Sequence, residues 1–295
     1  MKLATIVIGV DFSEASERAV LWTARHFAPE AELVLVHALD VPEVPAFLRD
    51  DVARDDEPLD AARAGAADRL AELGRGIGHE RTRAEVRNGP ATEALQKSVR
   101  ENGANVLVVG EHGVRGGFME ALGSTAERML HTCTAPVLLA RGMTEHPPRT
   151  LLVPLEEGGV TDVVLGWVAF LAKRFDARVE LLHVLSSQLA GRVRLVSASG
   201  AARTLEEKLT VSTRQWLQRR AAQAGLDPQR TGEHVVIGEP RAEVIAAAAR
   251  MTADLIIMGS RGSGTAGRLL LGSVAKSVLR GARRPVLVVS EHVAV

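Results

Sequence analysis

The chain has 295 residues, room for about two domains of ~150 residues each with a core in both. No apolar run approaches the ~20 residues of a membrane span, and the start MKLATIVIGVD lacks a signal-peptide cleavage pattern, so a cytoplasmic protein with no membrane partner is expected. Net charge is zero, there is no tyrosine and only 3% of residues are aromatic, which leaves few stacking platforms and makes nucleic acid an unexpected partner.

The first apolar run, Leu3 to Val10, is rich in branched residues and too short for a helix, and reads as a buried parallel strand. Ser13 is a suitable N-cap for a helix from Glu14 to about Ala28, whose apolar face holds Ala15, Ala19, Val20 and Trp22. Glu32 to Ala38 is the second strand. An acidic, proline-bearing connection with Asp50, Asp51, Asp55, Asp56 and Glu57 follows and reads as a solvated loop. An alanine-rich helix then covers about Leu59 to Leu73. Thr82 to Arg87 is a third strand closed by Gly89-Pro90, and Ala91 to Glu101 is a helix. The run 105–109 is a strand, Ser124 to His131 a helix, and Pro136 to Ala140 the last strand of this half. Cys133, the single cysteine, cannot form an internal disulfide and reads as a small buried residue rather than a nucleophile. Arg141 to Arg149, with Pro147-Pro148, reads as the connection; domains are expected at 1–142 and 149–295, with 143–148 as linker.

The same pattern then recurs. Leu151 to Leu155 is a strand, Val160 to Phe175 its helix and Arg178 to Val184 the next strand. A helix covers about Ala202 to Ala224, His234 to Ile237 is the third strand, and Glu239-Pro240 answers Gly89-Pro90. Pro285 to Val289 answers Pro136 to Ala140 at an offset of 149 residues. The repeat is global. Strand and helix alternate, so each half is expected to be a Rossmann-like, doubly wound parallel α/β sheet with helices on both faces. The halves differ in charge: residues 1–142 carry 16 Lys and Arg against 22 Asp and Glu, residues 143–295 carry 20 against 14. Opposite signs favour docking of one half on the other, weakly in salt.

The chemistry concentrates in one motif, present twice. Gly259, two residues, Gly262, nine residues and Gly272-Ser273 repeat the spacing of Gly110, Gly113 and Gly123-Ser124. Each copy follows an apolar strand and runs into a helix, an arrangement that offers backbone N–H groups and a helix N-terminus to a phosphate. A G-x-G-x-x-G at Gly262, Gly264 and Gly267 stands after the fourth strand of its half instead of the first, and the first half lacks it, which argues against a dinucleotide fingerprint. No G-x-x-x-x-G-K-[ST] is present. His37 and His183 hold the same place near the end of the second strand; with no companion ligand at useful spacing, a structural role is favoured over metal or proton chemistry. No Ser-His-Asp set and no paired-cysteine metal pattern occurs, so neither catalytic residues nor metal ligands are assigned.

Two copies of a unit with VDFSEAS after the first strand, LVHA or LLHV in the second, and G-x2-G-x9-G-S before a final PVLLA or PVLVV strand resemble the universal stress protein family in its tandem form. The resemblance covers nearly the whole chain. It implies a five-stranded sheet of order 3-2-1-4-5 in each half, and ATP, or ADP or AMP, with Mg2+ at the strand ends. It implies a stress-response sensor or regulator, with a slow ATP hydrolase or an interaction module without nucleotide as alternatives, so enzyme activity stays open. Carried over by position, the nucleoside end falls to Val10, Asp11 and the Ala38 backbone, and ribose and phosphates to Gly110, Gly113, Gly123 and Ser124, with His112 and Thr125 as neighbours. In the second half the matching positions are Glu156, Val184, Gly259, Arg261, Gly262, Gly272 and Ser273. Glu156 stands where the first half has Asp11, one methylene longer, so the first half carries the stronger expectation of binding. The resemblance also implies pairing of the two halves through their last strands, leaves a homodimer open, and leaves any protein partner unnamed.

Overall fold

The computed structural model describes residues 1–40, 57–111, 122–186, 201–260 and 271–290. The acidic connection at 41–56 lies outside these residues. The chain divides into two compact units, Lys2–Val137 and Leu138–Val295.

In the first unit, strand β1 (Thr5–Gly9) is buried along its middle, with Ile6, Val7 and Ile8 wholly shielded. Apolar side chains on both faces leave such a strand one option, a parallel sheet covered on both sides. Helix α1 (Glu14–Trp22) begins at Ser13, whose Oγ accepts the Ser16 N–H at 3.2 Å. It does not continue as an α-helix to Ala28. Residues Thr23–Phe27 form a π-turn closed by the Ala28 N–H on the Thr23 carbonyl, 2.8 Å. The Thr23 hydroxyl donates to the Ala19 carbonyl at 2.7 Å, a local competitor for the helix ladder, and Phe27 stacks on Trp22 in the core, centroids 5.6 Å apart.

Strand β2 (Glu32–Leu39), helix α2 (Glu57–Gly76), strand β3 (Thr82–Asn88), helix α3 (Ala91–Glu101), strand β4 (Val106–Gly110), helix α4 (Ser124–Thr132) and strand β5 (Val137–Ala140) follow. β1 pairs in parallel with β2 and β4, and β2 with β3. Asn105 sets the β1–β4 register: its Oδ1 accepts the N–H groups of Ala4 (2.7 Å) and Thr5 (3.1 Å), and its own N–H donates to the Thr5 carbonyl.

The second unit repeats the scheme with β6 (Thr150–Pro154), α5 (Thr161–Phe175), β7 (Arg178–Ser186), α6 (Ala201–Gln223), β8 (Thr231–Gly238), α7 (Pro240–Arg250), β9 (Leu255–Gly259), α8 (Ser273–Gly281) and β10 (Val286–Val289). Asp254 takes the part of Asn105, with Oδ2 accepting the N–H groups of Arg149 (2.8 Å) and Thr150 (3.1 Å). Strand order is β3-β2-β1-β4-β5 for the first repeat and β10-β9-β6-β7-β8 for the second, the expected 3-2-1-4-5 in both. The expectation of two separate sheets gives way to the last-strand pairing that the resemblance implies. Inside the unit Leu138–Val295, β5 lies next to β10, because a short strand of four buried residues, VLLA, would otherwise leave its ladder groups open at an edge. No helix among the described residues is long and apolar enough to cross a membrane.

The outer strand β3 is blunted by charge. Glu85 accepts from Arg83 (2.8 Å), Ser98 (2.9 Å), Arg87 (2.9 Å) and Asn102 (3.0 Å), and Arg87 also reaches Glu101 at 2.7 Å. Burial alone would raise the Glu85 pKa; hydrogen bonds from Asn102, Arg87 and Ser98, with the Arg87 charge, outweigh it and hold the carboxyl below its ordinary value. A lowered pKa in the folded chain means stability that is present above the unfolded-state value and lost as pH falls through the folded one. Denaturant unfolding between about pH 6 and pH 3 is therefore expected to show a steep loss of stability in the native chain and a shallower one in Glu85→Gln, whose neutral amide cannot be protonated in that window. Parallel slopes for the two proteins would refute the assignment.

Candidate functional site

All strand C-termini of a doubly wound unit point to one edge, and a crevice opens where strand order reverses. In the second repeat that place is between β6 and β9. A pocket of about 490 Å3 lies there, within the usual range for small-molecule sites. Glu156, Val184, Gly259, Gly272 and Ser273 of the sequence-derived set all line it. Residues that the motif did not single out line it too: Val160, Thr161, Val164, Val244 and Met258 form much of its apolar wall, and Ser186 stands at the end of β7.

The backbone around the acid is fixed from two sides. The Leu155 N–H donates to the Leu182 carbonyl at 2.8 Å, and the Leu155 carbonyl accepts from His183 Nδ1 at 2.8 Å. Since a carbonyl only accepts, Nδ1 carries the proton. The first repeat does the same with Val10, whose N–H reaches Val36 at 2.9 Å and whose carbonyl meets His37 Nδ1 at 2.8 Å. Each histidine thus ties the residue before the acid to the second strand of its repeat. Beyond this point the repeats diverge. Asp11 Oδ1 accepts from the Ser13 hydroxyl (2.6 Å) and N–H (3.1 Å), drawing the chain straight into α1. Glu156 is followed by Glu157-Gly158-Gly159, and α5 starts at Thr161, two residues later than α1 in the repeat alignment. The Thr161 hydroxyl then anchors the turn on the Glu156 carbonyl at 2.6 Å. The Glu156 side of the pocket is consequently built from loop rather than helix. The repeat alignment could have flagged Thr161, which matches Ser16.

The glycine motif is closed at its base in both repeats. The Gly123 N–H donates to the Glu111 carbonyl at 3.2 Å, and the Gly272 N–H to the Ser260 carbonyl at 2.8 Å. His112, Gly113, Arg261 and Gly262 lie outside the described residues. Gly123 and Gly272 are the N-caps of α4 and α8, each in extended geometry and without a side-chain capping bond. A helix that starts on glycine leaves its first N–H groups without a side-chain acceptor. Ser124 and Thr125 open α4, as Ser273 opens α8. Gly110 stands close to α1: a Cβ there would lie 3.4 Å from the Ser16 nitrogen and 3.5 Å from the Ala15 carbonyl carbon.

In the first repeat, Asp11 lines a cavity of about 560 Å3 with His37, Leu39 and the small residues Ala62, Gly65 and Ala66 of α2. Gly110, Gly123 and Ser124 are not among its walls. Phe12 stands in it at φ 61°, an unusual backbone for an aromatic residue. Its ring is held between His37, centroids 4.5 Å apart, and the Arg69 guanidinium, 3.9 Å from the ring centre. The second repeat replaces Phe12 by Glu157, and an aromatic from α6, Trp216, approaches His183 at 5.8 Å instead. Ala38 lies in β2 opposite Arg87 of β3. Cys133, at the end of α4, has its thiol pKa pushed up by burial against hydrogen bonds from the Ala135 and Thr134 backbone, which keeps it in the unreactive form.

Two copies of a parallel, doubly wound α/β unit, each with a glycine-capped helix at the C-terminal edge of its sheet, define a tandem α/β protein. The chain belongs to the universal stress protein family, whose family model matches residues 3–141 and 148–290. It is 26% identical over 303 residues to a universal stress protein of Mycobacterium tuberculosis strain H37Rv, covering 97% of this chain and 96% of that one. Universal stress protein G of Escherichia coli O157:H7 is 34% identical over 143 residues, 48% of this chain and 98% of that protein. The crystal structure of a universal stress protein from Archaeoglobus fulgidus DSM 4304 shares the fold, with a TM-score of 0.65, 17% identity, and coverage of 99% of this chain and 100% of that one.

The paired histidines yield a test. His183→Ala removes the donor to Leu155 and should lower stability by about 1 kcal/mol in urea unfolding, while His183→Asn, which keeps an N–H at nearly the same place, recovers most of it. Equal loss in both variants would show that ring packing, not the hydrogen bond, is what matters.

Proposed function

We propose that the chain binds adenine nucleotide at its two repeats, ATP with Mg2+ foremost, and acts in the cytoplasm as a stress-response sensor or regulator rather than as a fast enzyme. The observation that supports this best is the composition of the second-repeat pocket. Its lining combines the apolar side chains of Val160, Val164, Val244 and Met258, which suit a flat base, with Gly259, Gly272 and the start of α8. A nucleotide has the same polarity, an apolar planar end and an anionic end. At the anionic end Gly259 and Gly272 let the backbone approach without a Cβ in the way, and the uncapped N–H groups of α8 would take a phosphate, favoured by the helix dipole. Mg2+ would arrive on the phosphates, and no side chain is assigned to it. In the first repeat Asp11, Gly110, Gly123 and Ser124 are given the matching parts.

The reading is tested by mass spectrometry of any small molecule released when the purified protein is denatured, and by titration calorimetry with ATP, ADP and AMP. About two nucleotides per chain are expected, one for each repeat. Asp11→Ala should remove about half of the binding and Gly272→Val, which adds bulk to a residue of the second pocket's lining, the other half. Absence of heat with all three nucleotides would end this reading in favour of an interaction module that keeps the fold without the ligand. Phosphate release well above background would make the protein a hydrolase.

A further inference from the structure

We propose that Arg141 is a positioning residue for the second pocket, fixing from its C-terminal end the helix whose N-terminus meets the ligand. The inference rests on the nucleotide reading above and adds a residue that lies outside the glycine motif. Arg141 is the last residue of the first family match, yet it falls in the compact unit Leu138–Val295. It was expected to belong to a connecting segment. Instead it is only 5% exposed. Its Nη1 donates to the carbonyls of Ala282 (2.7 Å), Leu279 (2.9 Å) and Arg280 (3.4 Å).

These carbonyls belong to the last turn of α8 and the residue after it, the groups that a helix leaves without an internal partner. A buried guanidinium supplies both the donors and a positive charge at the negative end of the helix dipole. Gly142, next in sequence, has φ 45°, and a Cβ on it would stand 1.8 Å from the Arg283 carbonyl oxygen. Residues 141–142 are therefore seated on the turn between α8 and β10, in a place only glycine fits. Helix α8 has nine residues, a rod of ~13 Å, so a tilt allowed at its C-terminus is carried to Gly272 and Ser273 in the pocket wall.

The repeat supplies the contrast. The position that matches Arg141, directly after β10, is Ser290, whose buried Oγ has no hydrogen-bond partner among the described residues. The guanidinium clamp is thus present at one of the two repeat-related positions.

The test uses the full chain. Hydrogen exchange is measured in the native protein, Arg141→Met and Arg141→Lys, and ATP affinity is measured for the same three in an Asp11→Ala background, so that the heat reports the second pocket. Arg141→Met keeps the apolar stem and removes charge and donors. It is expected to speed exchange in α8 about tenfold, leave α4 within about twofold, and weaken ATP about tenfold. Arg141→Lys, which retains a charge and donors, should bring both quantities back to within about threefold of the parent. Equal acceleration of α4 and α8, unchanged ATP affinity in a folded Arg141→Met, or no recovery by lysine would each overturn the inference. If Arg141→Met does not fold, Arg141→Leu, which likewise removes charge and donors, replaces it, with the same expectations. No ATP binding by the parent chain would instead strike the nucleotide reading itself and remove the inference with it.

Discussion

The central strands leave the backbone little choice. β1, β4, β6 and β9 are apolar on both faces and almost wholly buried, and each of their amides still needs a partner. Parallel pairing between covered strands satisfies both demands, and right-handed crossovers then send every strand in the same direction. The polar consequences collect at the C-terminal edge, where loops must turn and helices begin. The pocket is located there, where the strands of the second repeat give way to the starts of its helices.

Within that frame the two repeats solve the turn after the first strand differently. In the first, Ser13 caps α1 and Asp11 is bonded back to it, so helix begins early and its first turn lies against Gly110. In the second, Gly158-Gly159 delays the helix, and Glu156, Val160 and Thr161 become pocket wall. The histidine at the end of the second strand is common to both and ties the residue before the acid to its neighbour strand. A shared anchor with divergent turns is what duplicated units show when the frame is constrained by packing and the rim is constrained only by what it touches.

Much of this was legible in the residues. Apolar runs bounded by glycine, proline and serine placed the strands, and the 149-residue offset of the glycine motif organised the rest. Glu156, Gly259 and Gly272, which line the second pocket, could be named from the resemblance because they sit in short motifs. What escaped was of a different physical kind. The π-turn at Thr23–Phe27, closed by the Ala28 N–H on the Thr23 carbonyl, is not encoded in helical periodicity. Val244, Met258 and Thr161 join the pocket by packing across the sheet, with no local pattern to announce them. Phe12 reads as an ordinary apolar residue until its backbone angle and its place between His37 and Arg69 are seen. Arg141 looked like part of a connection because a charged residue before glycine and two prolines has every mark of an exposed segment, and burial among three carbonyls depends on a helix 138 residues further along the chain.

The boundary between the compact units falls at Val137 and Leu138, inside β5, one strand before the boundary between the sequence repeats. Sequence period and spatial period are therefore out of phase. A gene duplication yields two copies that are in principle separable, but once the last strand of one copy is folded into the body that holds the other, deletion of the first copy takes a strand from what remains. The two halves are then free to diverge in their turns and binding surfaces while being inherited as one. An offset of a single four-residue strand is enough to turn a tandem arrangement into an evolutionary ratchet.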